Sequence, residues 1–168
     1  MSYIDKTLVF EDDRIYYLDE GESECQVMMD WEDDIMKASA DYVCENGGDI
    51  LEIGFGMGIS ANYIQANSID SHTIIENHPQ VIERAKAWAN GKSNVTIIEG
   101  DWYNVKDSLS TYDGVFYDTF GDENVDHFKT TLSTLMKSGG RATWWNNFTN
   151  TDDVFFIDGT VYEAISVN

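Results

Sequence analysis

The sequence DILEIGFGMGIS at residues 49–60 constrains the fold of this chain more than any other stretch. A short apolar run leads into Gly54, Gly56 and Gly58, and the residues that follow are compatible with a helix. This order predicts a buried strand, a glycine turn and the start of a helix. Glycines permit positive φ and let a ligand approach the backbone, and the first N–H groups of the helix are free to bind polar groups. The stretch is therefore typical of a nucleotide-binding turn, although an ordinary tight turn can carry the same glycines.

The spacing of the turn argues against a dinucleotide site. The dinucleotide fingerprint needs glycine or alanine three residues after the second glycine, and Ile59 stands there. Glu52 places an acid just before the turn, where a dinucleotide site would receive pyrophosphate. S-adenosylmethionine has no phosphate and carries an ammonium group, so an acid is compatible with it. We therefore expect Glu52, Gly54, Gly56 and Gly58 to bind this cofactor.

Composition limits the partners of the chain. Its 168 residues suggest one domain, and 31 acidic against 10 basic residues give a net charge of −21. Such an acidic protein is a poor ligand for nucleic acid or an acidic membrane surface, whereas a small cationic substrate complements it. We expect most of the acids to form a solvated surface. Cys25 and Cys44 are expected to be free thiols, with no metal site.

No apolar run approaches the length of about 18 residues that a membrane span requires, and no secretory leader is recognisable. We therefore expect a soluble, cytoplasmic protein.

Strand and helix patterns alternate from residue 49 to residue 146. This alternation predicts an α/β fold with a doubly wound, mostly parallel sheet. Residues 7–18 predict a hairpin before it. The five residues 149–153 are too few for a parallel crossover, so the last strands should be short and antiparallel. The expected parts of the single domain are an N-terminal hairpin and lid helix (1–46), a nucleotide-binding core (47–147) and C-terminal strands (148–168).

An apolar stripe with alternating spacings of three and four residues precedes the glycine turn and predicts one amphipathic helix. The stripe comprises Met28, Trp31, Ile35, Ala38 and Tyr42. Glu32 lies at its edge, near the expected helix start. Taken alone, Glu32 is best interpreted as a surface residue.

Polar residues follow the later strands at their carboxyl ends, where open α/β sheets bind ligands. Glu76 closes the second strand, 24 residues beyond Glu52, near the spacing at which an acid binds the ribose hydroxyls. Asp101 and Trp102 follow the third strand, where an adenine would be hydrogen-bonded and stacked; plain core packing of Trp102 is an equal alternative. Asp118 follows the fourth strand and should point at the reacting centre.

Together these segments resemble guanidinoacetate N-methyltransferase, a class I S-adenosylmethionine-dependent enzyme with a Rossmann-like fold, and its relatives among the arginine methyltransferases. The resemblance covers about residues 27–147. It is carried by VMMDWEDDIM at 27–36, GGDILEIGFGMGIS at 47–60, IIEN at 74–77, GDW at 100–102, DGVFYDTF at 113–120 and SGGRATWWN at 138–146.

The resemblance implies that two carboxylates, Glu32 and Asp118, grip a guanidinium group. Carboxylates suit this role because a guanidinium is planar, fully protonated and bound in a bidentate manner. Asp118 would also accept a proton as the nitrogen attacks the methyl group. The further residues that the resemblance assigns are Met28, Met36 and Asn77 to the cofactor, Trp31, Asn146 and Asn147 to the substrate.

The leading interpretation is an N-methyltransferase that acts on a guanidino or related cationic small molecule, with S-adenosylhomocysteine as product and without a metal. Two alternatives remain open: a protein arginine methyltransferase, and a non-catalytic protein that binds S-adenosylmethionine or a basic partner. Asn146 and Asn147 depart from the family pattern, so the tail of the acceptor is expected to differ. A sheet face without helix cover would favour a homodimer.

Overall fold

A computed structural model of the chain describes residues 2–122 and 124–144, together with two backbone strands at 154–157 and 160–163. The strands are β1 (Val9–Phe10), β2 (Arg14–Leu18), β3 (Glu24–Met29), β4 (Asp49–Ile53), β5 (Ser71–Glu76), β6 (Val95–Glu99), β7 (Tyr112–Tyr117), β8 (Met136–Trp144), β9 (Val154–Ile157) and β10 (Thr160–Glu163). The α-helices are α1 (Asp33–Cys44), α2 (Ile59–Ala66), α3 (Pro79–Ala89), α4 (Trp102–Val105) and α5 (Val125–Leu135).

The central sheet has five parallel strands in the order β6-β5-β4-β7-β8. This arrangement confirms the predicted doubly wound α/β fold. The chain winds outward from β4 to β6 and then returns to β7 on the other side of β4. The strand order therefore reverses between β4 and β7, and in open sheets of this kind a crevice for ligands forms at the carboxyl ends of the strands at this point.

The core lies on both faces of this sheet because its strands are buried on both sides. Leu51 and Tyr117 pack with Phe128 of α5 on one face. Ile50 and Phe116, their neighbours along β4 and β7, pack with α1 on the other face. Such alternation is the expected consequence of the two-residue period of a strand.

Two smaller antiparallel sheets accompany the central sheet, one of three strands and one of two. The predicted N-terminal hairpin is present as β1 and β2, and β3 adds a third strand that the sequence pattern did not predict. The predicted short C-terminal strands are antiparallel, as β9 and β10. Among the described residues, no helix has the length and apolarity needed to cross a membrane.

The apolar stripe before the glycine turn was only partly assigned to the right element, since Ile35, Ala38 and Tyr42 lie in α1 but the first two residues do not. Met28 belongs to β3, which is extended because it pairs with β2, and Trp31 lies in a short 3-10 turn with 54% of its surface exposed. Helix α1 begins only at Asp33, and its buried face is formed by Met36, Ala40 and Val43. The observed spacing therefore ran across a strand, a turn and a helix.

Candidate active site

A cleft of about 670 Å³, part of it open to solvent, lies at the carboxyl ends of β4, β5 and β7. Carboxylates from four residues line it, namely Glu32, Glu76, Asp118 and Asp122. Within the described part of the chain, no Lys, Arg or His side chain lines the cleft.

The glycine turn forms one wall of the cleft. Gly54, Gly56 and Gly58 have φ values of +96°, +54° and +78°, which other residues rarely adopt. A Cβ atom at Gly54 would overlap the backbone carbonyl of Asp118, where β4 and β7 approach each other. Glycine is therefore required at this position by the backbone itself.

Met28 covers the turn from the side of β3. Its sulfur atom lies against Gly56 and accepts a hydrogen bond from the N–H of Met57 at 3.1 Å. Met28 also lines the cleft, so the structure places it where the sequence predicted a cofactor contact.

Glu76 is held rigidly at the end of β5. Its carboxylate accepts hydrogen bonds from the N–H groups of Phe55, Asn77 and His78, each at 2.9 Å, and the residue is only 7% exposed. Two carboxylate oxygens offer about four lone-pair positions, so acceptor capacity remains on the cleft side. Glu76 and Asn77 both line the cleft, in the places expected for the ribose site.

Asp118 and Glu32 lie in the same cleft, as the sequence predicted. Burial, reinforced by the neighbouring carboxylates of Glu32, Glu52 and Glu76, raises the pKa of Asp118 to about 8. Glu32 is 8% exposed and accepts a hydrogen bond from the N–H of Met29 at 3.0 Å. A cation placed between these carboxylates would favour their ionised forms and relieve their mutual repulsion.

Glu52 occupies a different place from the one expected. It is fully buried and does not line the cleft. One of its oxygens accepts the hydroxyl of Ser60, and the other pairs with Nε2 of His72 at 2.8 Å. The reason is strand alternation: Ile53 lines the cleft and Glu52, its neighbour, points away from it. Glu52 therefore stabilises the first turn of α2 through its hydrogen bond with Ser60.

Trp102 is mainly a core residue. It is 3% exposed, and its indole N–H donates to Asp122 at 2.7 Å while one edge lines the cleft. The ring packs edge-on against Tyr117 and Phe128. The structure therefore agrees with the alternative that Trp102 packs in the core, although the residue also lines the cleft.

Four other expected residues do not line the cleft, and the first of them is Gly58, which lies against the ring of Phe55. The carboxylate of Asp101 caps α4 by accepting the N–H of Tyr103 at 2.8 Å. Met36 is fully buried in the core beneath Met28, and Trp31 lies outside the lining. Strand β3 explains the positions of Met36 and Trp31, because it moves the start of α1 to Asp33 and so changes which residues of this segment face inward. Asn146 and Asn147 lie outside the described residues.

Most of the other lining residues were not predicted, and two of these, Tyr3 and Asp122, carry titratable groups. Tyr3, from the N-terminal 3-10 turn, packs against the rings of His78 and Phe120 at 4.9 and 5.1 Å. Burial first, and then the carboxylate of Glu76, raises the pKa of Tyr3. Asp122 lines the cleft from the loop that follows β7. Both reach the cleft through contacts that no local sequence pattern signals.

The five-stranded sheet and the cleft at its switch point define a Rossmann-like domain, the fold of the class I methyltransferases that use S-adenosylmethionine as methyl donor. The chain belongs to the guanidinoacetate N-methyltransferase family, whose model matches residues 21–155. This match confirms the resemblance seen in the sequence.

Curated relatives are similar over most of this chain. The protein arginine N-methyltransferase 2 of Aspergillus oryzae is 36% identical over 154 residues, which cover 86% of this chain and 36% of that protein. The protein of the same name from Saccharomyces cerevisiae is 36% identical over 136 residues, covering 74% of this chain and 32% of that protein. This chain therefore spans about a third of the length of these relatives.

Solved structures agree on the fold. A putative caffeoyl-CoA O-methyltransferase from Staphylococcus aureus has 26% identity and a TM-score of 0.51, over 66% of this chain and 54% of that chain. A spermidine synthase from Thermotoga maritima has 11% identity and a TM-score of 0.54, over 78% of this chain and 53% of that chain, and it supports the fold alone.

Proposed function

We propose that this chain is an S-adenosylmethionine-dependent N-methyltransferase whose acceptor is the guanidinium group of a small cationic molecule. The proposal rests on the composition of the cleft. Glu32 and Asp118 lie there among further carboxylates, and none of the described residues contributes a basic side chain to its lining. Such a cleft is electrostatically unfavourable when empty and complements a cation.

The residues present fit the cofactor. Gly54 and Gly56 form part of the cleft wall, and the carboxylate of Glu76, which already accepts three N–H groups, keeps about one acceptor position for a ribose hydroxyl. Trp102 adds an apolar surface to the lining of the cleft. When bound, S-adenosylmethionine supplies a methyl group activated by a sulfonium.

Glu32 and Asp118 would hold the guanidinium and align one of its nitrogens. Positioning of this kind is worth an effective molarity of about 10⁵ M or more. The bound cation would favour the ionised form of Asp118, which would then accept the proton that the nitrogen loses. Glu32 would hold the opposite edge of the group, because the N–H of Met29 fixes one of its oxygens.

A second candidate acceptor is an arginine side chain within a polypeptide. The names of the relatives from Aspergillus oryzae and Saccharomyces cerevisiae favour it.

The charge of the cleft also discriminates among acceptors. Whether the acceptor is a small molecule or an arginine side chain, one that lacks its own carboxylate avoids repulsion from Glu32, Glu76 and Asp118. Agmatine and arginine peptides should therefore be better acceptors than guanidinoacetate or free arginine.

The test is calorimetric titration of S-adenosylhomocysteine, followed by methyl-transfer assays on guanidinoacetate, agmatine, arginine and arginine peptides. We expect binding, with transfer that Asp118→Asn and Glu32→Gln each reduce at least about a hundredfold. Asp34→Asn, an exposed acid in the first turn of α1, is the control and should retain activity. Transfer to peptides alone would select the second candidate. Binding without transfer to any acceptor would indicate a non-catalytic protein, and no binding would refute the proposal.

A further inference from the structure

The carboxylate of Asp122 is the centre of a hydrogen-bond cluster beside the reactive residue. One oxygen accepts from the indole N–H of Trp102 at 2.7 Å, from the hydroxyl of Tyr117, and from the hydroxyl of Thr119 at 3.2 Å. The other oxygen accepts from the N–H of Asn124 at 2.7 Å. Charge-assisted hydrogen bonds of this kind are about twice as strong as neutral ones.

The donors come from different parts of the cleft. Tyr117 and Thr119 are the two residues that flank Asp118, and Trp102 begins α4, which follows β6. Gly121, with φ of +64°, lets the chain turn back so that the carboxylate of Asp122 faces them. The loop after β7 is therefore closed on itself and attached to the wall that Trp102 forms.

The surroundings make this attachment stiff. The ring of Tyr117 stacks on that of Phe128 at 4.3 Å, and Trp102 packs edge-on against both at 5.8 and 5.9 Å. Phe128 is fully buried in the core. Since buried donors that lose their partner carry the whole desolvation penalty, the cluster has one strongly preferred arrangement.

We propose that Asp122 is a positioning residue, which fixes the carboxylate of Asp118 by holding both of its neighbours and joins this loop to Trp102 at the cofactor end of the cleft. The proposal rests on the proposed function, in which Asp118 is the reacting carboxylate. Asp122 itself touches neither reacting atom; its effect is transmitted through Tyr117 and Thr119.

A consequence for the titration of Asp118 makes the proposal testable without turnover. The groups that raise the pKa of Asp118, besides burial, are Glu32, Glu52 and Glu76, and Asp122 is not among them. If the loop relaxes toward solvent, burial and repulsion both decrease, so the pKa of Asp118 should fall. A displacement of about 1 Å should also reduce kcat by about a hundredfold, because alignment is lost.

The experiment measures the carboxyl ¹³C titration of Asp118 and the indole N–H signal of Trp102 in wild type, Asp122→Asn and Tyr117→Phe. We expect the pKa of Asp118 to fall by about one unit or more in Asp122→Asn and by a smaller amount in Tyr117→Phe. The indole signal should move upfield in Asp122→Asn. Tyr117→Phe changes no charge near Asp118, so a shift there reports loop position alone.

Asp126→Asn is the matched control, with the same chemical change at an exposed position at the start of α5. It should leave the pKa of Asp118 and the rate unchanged. In steady-state assays, Asp122→Asn should lower kcat at least about tenfold while the KM for the acceptor changes less than about threefold.

An unchanged pKa of Asp118 in both folded test variants overturns the proposal, as does an equal shift in Asp126→Asn. An inactive wild type would refute the proposed function, whereas the titration would still decide whether Asp122 positions Asp118. A rate loss in Asp122→Asn without any shift of pKa or indole signal would assign Asp122 a merely structural role.

Discussion

Replacing Asp118 by Asn should stabilise the free protein while it abolishes methyl transfer. The pKa of Asp118 is raised from the ordinary 3.8 to about 8 in the folded state. Below about pH 4 the carboxyl is protonated in both folded and unfolded chains, so it has no effect on stability. Between about pH 4 and 8 the unfolded chain releases the proton and the folded protein keeps it, so wild-type stability falls as pH rises. Above about pH 8 the penalty is constant.

The size of this penalty follows from the width of the interval. Each pH unit is worth about 1.4 kcal/mol, so about four units set an upper limit near 6 kcal/mol. Asp118 lines an open cleft and is partly exposed, and solvent screening reduces the value to about 2–3 kcal/mol. For a protein of this size each kcal/mol changes the melting temperature by about 2–4 °C. Asp118→Asn should therefore melt roughly 4–12 °C above wild type at pH 8.

The assay is thermal unfolding of wild type, Asp118→Asn and the exposed control Asp126→Asn from pH 5 to 9, without cofactor. The difference between wild type and Asp118→Asn should grow from pH 5 to 8 and then level off. Asp126→Asn should follow wild type throughout. A difference that does not depend on pH, or a wild type more stable than Asp118→Asn at pH 8, would refute the inference that ionisation of Asp118 destabilises the folded protein.

Three further substitutions test the supports of the cleft. Glu76→Gln leaves one of three backbone N–H groups facing an amide donor, so it should lower the free energy of unfolding by about 1.5–3 kcal/mol in thermal unfolding. It should also weaken the binding of S-adenosylhomocysteine at least about tenfold in calorimetry. Unchanged affinity would contradict a contact between Glu76 and the ribose. Gly54→Ala should lower stability by more than about 2 kcal/mol in urea unfolding, because the methyl group meets the carbonyl of Asp118, whereas Gly91→Ala, which has open space but also positive φ, should cost about 1 kcal/mol. Glu52→Leu leaves His72 and Ser60 buried without their acceptor and should cost about 3–5 kcal/mol in the same assay; a loss below about 1 kcal/mol would contradict the supporting role of Glu52.

The fold could be predicted because its signals are local and periodic. The apolar runs of β4, β5 and β7, the glycine turn and the intervening helix patterns each lie within one continuous segment. Glu76 and Asp118 could be predicted for the same reason, since each directly follows a buried strand whose carboxyl end faces the cleft.

The remaining residues depend on orientation and on distant contacts. Glu52 points away from the cleft because a strand turns successive side chains to opposite faces, and the sequence pattern of a strand buried on both sides does not show which face is which. Met36 and Trp31 were misplaced because the pairing of β3 with β2 is not visible in the spacing of apolar residues. Tyr3 reaches the cleft across 73 residues from Glu76, a separation at which sequence patterns carry no information.

The sulfur of Met28 makes the wall of the cleft sensitive to oxidants. As a thioether it accepts the N–H of Met57 and lies directly on Gly56, in a contact that only the missing side chain of glycine permits. A sulfoxide at this position would add a polar oxygen and a new chiral centre to a closely packed contact. Because Met28 is only 5% exposed, peroxide should reach its sulfur mainly when the contact with Gly56 and Met57 opens, and the rate of oxidation therefore measures that local opening.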